Sequence, residues 1–152
     1  MIKVEEHPSP NFDERKLPVS MIVIHYTETK TCEHALRILS DPNSAKRVSS
    51  HWVIDRDGTV YRLVDEAKRA WYAGKSFWDG IEDCNSASIG IELVNDGAEV
   101  YPQPQLDALV ELCGEIRSRH AIRHIVGHSE IAPDRKRDPG PLFPWALLRP
   151  SS

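Results

Sequence analysis

The stretch SMIVIHYTE, residues 20–28, decides the fold, because its apolar run from Met21 to Ile24 continues without alternation until His25. Such a run is typical of a strand that is buried on both faces, as in a sheet covered by helices. The stretch RHIVG, residues 123–127, has a similar character and leads directly into His128. We therefore predict two buried strands, each followed at once by a histidine.

Outward from these strands, further segments have the periodicity of strands. In HWVIDRDGTVYRLV, residues 51–64, two β-rich runs flank Asp57-Gly58, which is a favoured hairpin turn. In ASIGIELVN, residues 87–95, apolar residues alternate with Gly90 and Glu92, so that the two sets face opposite sides of a strand. Both segments therefore add strands to the predicted sheet.

Two segments have the pattern of helices. TCEHALRILS, residues 31–40, begins with Thr31 as a cap, and Ala35, Leu36 and Leu39 fall on one side. PQLDALVELCGEIRSRH, residues 104–120, has an apolar stripe formed by Leu106, Leu109, Val110, Cys113 and Ile116. With a short closing helix in PWALL, the order β-α-β-β-β-α-β predicts an α/β fold: one domain with a central mixed β-sheet flanked by α-helices.

The length of 152 residues suits a single domain. Residues 1–18 contain three prolines and no periodicity, so we expect an extended arm that packs on a domain formed by residues 19–152. The first residues lack the apolar segment of a secretory signal, which predicts a cytoplasmic protein. Removal of a signal before residue 1 would instead place the protein in the periplasm or cell wall.

Composition excludes several classes of protein. The net charge of −4 gives no basic face for nucleic acid, and no stretch approaches the length of an apolar membrane span. Cys32, Cys84 and Cys113 are an odd number without a CxxC pair, so we interpret them as free thiols.

His25 and His128 form a suggestive pair, because sites in α/β sheets gather at the ends of strands. Asp138 follows ten residues after His128 in GHSEIAPDRKRDPGPLFPW, residues 127–145, which has the polarity and prolines of a long loop. Two imidazoles and a carboxylate are a common set of protein ligands in a catalytic zinc site. Each histidine could instead be a hydrogen-bonded residue at a strand end, and His51, which opens a strand, is the rival ligand.

Two charged residues have open alternatives. Glu92 is either a general base beside a metal or a solvent-facing residue on an edge strand. Lys136 is either a solvated charge or a cation that stabilises an oxyanion. If the segment is extended, Lys136 and Asp138 face the same way and the neighbouring Arg135 and Arg137 point away.

Six segments together resemble the type 2 zinc-dependent N-acetylmuramoyl-L-alanine amidases, whose fold is shared with animal peptidoglycan recognition proteins and some phage lysins. In chain order they are SPNFDER, IVIHYT, SSHWVIDRDGTVYRLV, RAWYAGKSFWDG, SIGIELVN and VGHSEIAPDRKRDPGPLFPW. They cover nearly the whole chain, and GHSEIAPDRKRDPG is the most specific of them.

The resemblance implies a function and a set of site residues. One zinc ion per chain would be held by His25, His128 and Asp138, with Glu92 and Lys136 as catalytic residues. The reaction would be hydrolysis of the amide between N-acetylmuramic acid, in its reducing or anhydro form, and L-alanine of peptidoglycan or muropeptides. The segments near the groove imply four substrate contacts: Trp71, Ala73, Gly74 and Asn95.

The chain departs from the family at Tyr72, where histidine is usual, and the resemblance places this position at the approach to the groove, away from the metal. Two other functions stay open. Recognition proteins of this fold bind muropeptide without cutting it, and another zinc hydrolase could cut within the stem peptide. We expect a monomer whose partner is the wall or a muropeptide.

Overall fold

Residues 1–149 are described by the structure, a computed structural model, and they form eight strands. The strands are β1 (Val4–Glu6), β2 (Phe12–Glu14), β3 (Met21–Tyr26), β4 (Trp52–Ile54), β5 (Val60–Arg62), β6 (Lys68–Ala70), β7 (Ser88–Leu93) and β8 (His124–Gly127). The helices are α1 (Cys32–Leu39), α2 (Cys84–Ala87), α3 (Gln103–Arg119) and α4 (His128–Ile131), and a 3₁₀ turn spans Trp145–Leu147.

Six of these strands form one sheet in the order β1-β5-β4-β7-β3-β8. Strands β4, β7, β3 and β8 run parallel, whereas β5 is antiparallel to β4 and parallel to β1. Strands β2 and β6 form a separate antiparallel pair. The prediction of a mixed central sheet flanked by helices is therefore confirmed.

Strand β3 is buried on both faces, as its unbroken apolar run predicts. Ile22 and Ile24 face the cluster that contains the apolar side of α3. Met21 and Val23 face the opposite cluster, which contains residues of α1, α2 and α4. The sheet thus separates two cores, and its central strands are shielded from water along their length.

Both predicted helices are present, a short one as α1 and a long one as α3. Thr31 caps α1 by accepting a hydrogen bond from the His34 N–H at 3.1 Å. In α3 the prediction for Val110 is wrong, because 41% of it is exposed, whereas Leu112 is buried. Successive residues turn about 100° around a helix, so Val110 lies outside the stripe that is centred on Leu109.

Other local predictions need correction. The segment 127–145 is not a continuous loop, because α4 forms one helical turn in which the Glu130 carboxylate accepts a hydrogen bond from the Gly127 N–H at 2.9 Å.

Strands β1 and β2 lie within residues 1–18 and pair with β5 and β6. Strands of three residues show no periodicity of their own, and their pairing with distant segments defines them. The division between an arm and a domain at residue 18 stays a prediction.

Two expectations from composition can be compared with residues 1–149. The three cysteines are free, as predicted, and the structure also shows that all three are buried. Across the described part of the chain, none of the helices has the length and apolar character needed to cross a bilayer.

Candidate metal centre and active site

Strand register brings the predicted residues to one end of the sheet. His25 on β3 is the direct register partner of Glu92 on β7, so their side chains leave the same face of the sheet. Strand β8 ends at Gly127, beside Ile24, and His128 follows as the first residue of α4. Two histidines and a glutamate that are far apart in sequence therefore meet at the ends of adjacent strands.

His25, His128 and Asp138 form a compact cluster of potential metal ligands. His25 Nδ1 lies 3.0 Å from both His128 Nδ1 and Asp138 Oδ2, and His128 Nδ1 lies 3.3 Å from Asp138 Oδ2. Tetrahedral ligands of zinc at their usual bond lengths are about 3.3 Å apart. All three residues are buried, so the three atoms form a triangle of a size that suits one small cation.

A hydrogen bond at the far side of the His128 ring orients its lone pair. His128 Nε2 lies 2.9 Å from the carbonyl oxygen of Ala73. A carbonyl oxygen only accepts, so Nε2 carries the proton and Nδ1 of the neutral ring presents its lone pair to the cluster. His25 Nε2 is buried and has no partner within residues 1–149. The donor set and its orientation therefore fit a metal ion.

The electrostatics favour the protonation states that metal ligands need. Burial lowers the pKa of His25 to about 4, although Asp138 opposes the shift. Burial alone would raise the pKa of Asp138, but its close contacts with His128 and His25 outweigh it and hold the pKa below its usual range. At neutral pH, His25 is therefore neutral and Asp138 is ionised.

Glu92 lies beside this cluster, with Oε2 3.6 Å from His25 Nδ1. Its strand, β7, lies between β4 and β3, and the residue is only 8% exposed. The alternative of a solvent-facing glutamate on an edge strand is therefore wrong. Burial, reinforced by the charge of Asp138, raises the pKa of Glu92 well above its ordinary value, and Lys136 opposes this shift.

A cleft of about 370 Å³ opens over the cluster. Lys136 lines it together with both neighbours, Arg135 and Arg137, so the expectation that the two arginines point away is wrong. The backbone N–H groups of Arg135 and Lys136 both donate to the Ala132 carbonyl at 3.0 Å. The segment is therefore a turn at this point, and the two-residue alternation of an extended chain does not apply.

The four residues predicted to contact substrate are not among those that line the cleft. Trp71 donates from Nε1 to Asp13, and Gly74 lies at the surface. Ala73 is buried, with its carbonyl bonded to His128. Asn95 is also buried, and its side chain bonds to the main chain of the loop that follows β7. Their role as substrate contacts stays a prediction.

Tyr72 corrects an implication of the family resemblance. It lies against the ligand cluster and not only at the approach to the groove, because its ring centroid is 5.1 Å from that of His25. The hydroxyl is 2.5 Å from Ser88 Oγ, and a Cβ at Gly90 would meet the ring at 2.7 Å. Gly90 therefore permits this close packing.

Sequence reasoning missed Asn85, and left His51 as a rival ligand. Asn85 Oδ1 accepts hydrogen bonds from the N–H groups of Tyr72 and Ala73, and nothing in its local sequence signals this long-range role. His51 is buried, but Nδ1 accepts from the Gly90 N–H and Nε2 donates to the Lys68 carbonyl. Both ring nitrogens are thus bound by the main chain, so His51 is not a ligand of this cluster.

Comparison with known proteins identifies relatives that are named as amidases. AmiD of Escherichia coli, an N-acetylmuramoyl-L-alanine amidase, is 37% identical over 148 residues, which cover 86% of this chain and 52% of that protein. The 1,6-anhydro-N-acetylmuramyl-L-alanine amidase AmpD of Citrobacter freundii is 43% identical over 105 residues, which cover 68% of this chain and 56% of AmpD. The chain thus spans little more than half the length of these two relatives.

Solved structures agree in fold over most of the chain. A crystal structure of a selenomethionine AmpD derivative superposes with a TM-score of 0.89 at 34% identity, covering 98% of this chain and 94% of that one. AmiD from E. coli, in complex with its substrate anhydro-N-acetylmuramic acid-L-Ala-D-gamma-Glu-L-Lys, superposes with a TM-score of 0.79 over 86% of this chain and 56% of that one.

The family model described as N-acetylmuramoyl-L-alanine amidase matches residues 15–141. This range contains His25, Glu92, His128, Lys136 and Asp138. The fold, the ligand cluster and the extent of the match agree, and the chain belongs to the type 2 N-acetylmuramoyl-L-alanine amidase family.

Proposed function

We propose that this chain is a zinc-dependent N-acetylmuramoyl-L-alanine amidase. It hydrolyses the amide bond between N-acetylmuramic acid, in its anhydro or reducing form, and L-alanine of peptidoglycan or muropeptides. The observation that carries the proposal is the convergence of His25 Nδ1, His128 Nδ1 and Asp138 Oδ2 beneath a cleft that Glu92 also lines. One zinc ion per chain binds at these three atoms.

The comparisons support the substrate class. AmiD forms a complex with an anhydromuramyl peptide, and the AmpD relatives are named as 1,6-anhydro-N-acetylmuramyl-L-alanine amidases. We assign catalysis to residues 19–152, with residues 1–18 as an arm that packs on this domain, and we expect the chain to act as a monomer.

Each residue of the cleft has a distinct part in the reaction. Zinc at the cluster would polarise the scissile carbonyl and lower the pKa of a coordinated water to about 7. Glu92 takes a proton from the attacking water and passes it to the leaving amine of L-alanine. The ammonium group of Lys136 stabilises the negative charge that develops on the carbonyl oxygen.

A muropeptide-binding domain without activity is the second candidate function. It would need the cleft but neither a complete ligand set nor a buried carboxylate beside it. Here the three ligand atoms are oriented and Glu92 is 8% exposed at the centre of the sheet, a combination that binding alone does not require. The same observation favours an enzyme over a recognition domain.

Metal analysis combined with product analysis tests the proposal. The purified chain should contain about one zinc ion, because the cluster supplies three ligands and leaves the fourth position for water. Incubation with anhydromuramyl tripeptide should release anhydro-N-acetylmuramic acid and a peptide that begins with L-alanine, as seen by mass spectrometry. Binding without cleavage would indicate a recognition domain, and products cut within the peptide would indicate a peptidase. Parallel digestion of intact sacculi shows whether the wall is also a substrate.

A further inference from the structure

We propose that Asn85 is a positioning residue for the metal centre and acts through the backbone of Tyr72 and Ala73. This inference rests on the proposed metal site. Asn85 is the second residue of the one-turn helix α2, and within residues 1–149 it makes no hydrogen bond to any of the three ligands. Its effect is to hold the two peptide groups that precede the Ala73 carbonyl, and this carbonyl orients His128.

The connection consists of two consecutive steps of hydrogen bonding. Asn85 Oδ1 accepts from the Tyr72 N–H at 3.1 Å and from the Ala73 N–H at 2.9 Å. The carbonyl oxygen of Ala73 in turn accepts from His128 Nε2 at 2.9 Å. This side-chain oxygen, together with the Arg135 guanidinium that donates to the same Ala73 carbonyl at 3.0 Å, holds the backbone that selects the His128 tautomer with a free Nδ1 lone pair.

The same short segment also contacts the other histidine ligand. The ring of Tyr72 packs edge-on against His25, with the two centroids 5.1 Å apart. Strand β6 ends at Ala70, so the backbone of Tyr72 and Ala73 lies beyond the regular hydrogen bonding of that strand. Asn85 supplies the acceptor that a neighbouring strand would otherwise provide for these two N–H groups.

Asn85 is itself held firmly on both sides of α2. The Asp83 side chain caps the helix by accepting from the Ser86 N–H at 3.3 Å. Arg15, from the N-terminal segment, donates to the carbonyl oxygens of Ser86 at 2.8 Å and Asn85 at 3.3 Å. These contacts fix the position from which the Asn85 side chain reaches Tyr72 and Ala73.

Loss of the Asn85 oxygen would leave two N–H groups of buried residues without an acceptor. An unpaired buried donor costs about 1–3 kcal/mol, so the segment would move until water or another group satisfied it. The Ala73 carbonyl would then be held only by Arg135 and would constrain His128 less firmly. Loss of an outer partner of a metal-binding histidine typically weakens metal affinity by about 10–100-fold.

Two substitutions at Asn85 distinguish the effect of its hydrogen bonds from the effect of its side-chain volume. Asn85→Leu has a similar size but no acceptor, whereas Asn85→Asp keeps an oxygen at the same place. Within residues 1–149, Asn85 Nδ2 makes no hydrogen bond, so the aspartate variant loses no partner there. We expect zinc affinity, measured by competition with a chelating dye, to fall about 10–100-fold in Asn85→Leu and by less than about threefold in Asn85→Asp.

Gln105→Leu is the matched control for general destabilisation. Gln105 is a buried amide on α3 whose Nε2 donates to two main-chain carbonyls, those of Ile54 and Val94. This variant should lower the melting temperature of the metal-free chain without changing its zinc affinity. An equal loss of affinity in Gln105→Leu and Asn85→Leu, or none in Asn85→Leu, would overturn the proposal. Asn85→Ser, whose hydroxyl is too short to reach both N–H groups, replaces the leucine variant if that variant does not fold.

A second readout separates this inference from the proposed function. Long-range ¹H–¹⁵N spectra of the metal-free chain report which nitrogen of His128 carries the proton. We expect the Nε2–H tautomer to dominate in the wild type and in Asn85→Asp, and to lose population in Asn85→Leu. An unchanged tautomer in Asn85→Leu overturns the positioning role. If the wild-type chain binds no zinc while the tautomer responds as expected, the proposed function fails and the positioning of His128 by Asn85 stands.

Discussion

Two buried histidines on the same sheet differ in what surrounds them. His25 and His51 are 1% and 0% exposed, and the ring of Tyr72 lies near both, with centroid separations of 5.1 and 5.9 Å. A glutamate lies in the neighbourhood of each histidine: Glu92 beside His25, and Glu66 on the side of His51. Each region thus contains a buried histidine and a glutamate, and the same tyrosine ring lies near both histidines.

The two regions differ in the hydrogen bonds that their polar side chains make. Both nitrogens of His51 bind main-chain groups, and the Glu66 carboxylate accepts from Trp52 Nε1 at 2.9 Å and from Arg119 at 2.8 Å. Hydrogen bonds from Arg119 and His120 outweigh burial and lower the pKa of Glu66, whereas burial raises the pKa of Glu92. The side chains of His51 and Glu66 therefore have hydrogen-bond partners within the protein. The polar side chains around His25 instead point toward a common position that a ligand could occupy.

The comparison shows that burial alone does not identify a functional histidine. A functional histidine is identified by a nitrogen lone pair that is free to bind a ligand, because a structural histidine uses both ring nitrogens in hydrogen bonds within the fold. If this distinction is right, substitutions around His25 should change metal binding and turnover, and those around His51 should change stability.

The largest expected effect is that of Asp138→Ala, which removes one of the three ligands. Zinc content should fall well below one per chain, and activity should fall at least about 10³-fold, because metal polarisation contributes several kcal/mol to the transition state. Metal analysis and the rate of release of L-alanyl peptide measure the two effects. His51→Gln, the control, should keep its zinc; full occupancy in Asp138→Ala would show that Asp138 is not a ligand.

Glu92→Gln should keep zinc and lower kcat by about 10²–10⁴-fold, the usual contribution of a general acid–base group. The isosteric amide preserves the packing but cannot accept the proton. Glu66→Gln should instead leave kcat unchanged and lower the free energy of unfolding by about 1–3 kcal/mol, since it weakens hydrogen bonds to a charged group. Comparable kcat values for Glu92→Gln and the wild type would remove Glu92 from the mechanism.

Lys136→Ala should lower kcat by about 10²–10³-fold, the range for loss of one oxyanion donor, with little change in KM. The reason is that an ammonium acts most strongly when negative charge develops on the carbonyl oxygen. Arg137 lines the same cleft and is the matched control. Steady-state kinetics should give a much smaller effect for Arg137→Ala; equal losses in the two variants would mean that the positive charge of the cleft acts as a whole.

The smallest expected effect is on the pH dependence of stability. Burial, with help from the charge of Arg15, lowers the pKa of His51 from 6.5 to about 3. The unfolded chain therefore binds a proton that the folded chain excludes between these pH values. Stability from neutral His51 is complete above pH 6.5 and is lost as the pH falls toward 3, with a slope of at most about 1.4 kcal/mol per pH unit.

Urea unfolding of the chain between pH 4 and 7 measures this slope. His51→Gln should flatten it, because glutamine keeps a donor and an acceptor but does not titrate in this range. Gln105→Leu removes a buried amide that does not titrate, so it should lower stability while leaving the slope as in the wild type. A slope that is unaffected by His51→Gln would contradict the exclusion of a proton from His51.

Several features of the candidate site were predictable from the sequence because they depend on local patterns. The unbroken apolar run from Met21 to Ile24 indicated a strand covered on both faces, and a polar residue at the end of such a strand lies where functional sites of α/β sheets gather. That reasoning located His25 and His128. It left Glu92 open, because an alternating strand has the same pattern at the centre of a sheet as at its edge.

The sequence by itself determined the fold class, the buried strands, the helices α1 and α3 and the end of the sheet at which the chemistry-bearing residues gather. All of these follow from periodicity over a few neighbouring residues. Tertiary structure alone decided that His51 is structural, that Glu92 is central, that Arg135 and Arg137 share the cleft with Lys136, and that Asn85 supports Ala73. These features depend on strand order, a turn and hydrogen bonds between residues far apart in sequence, and no local pattern encodes which distant partner a polar atom will meet.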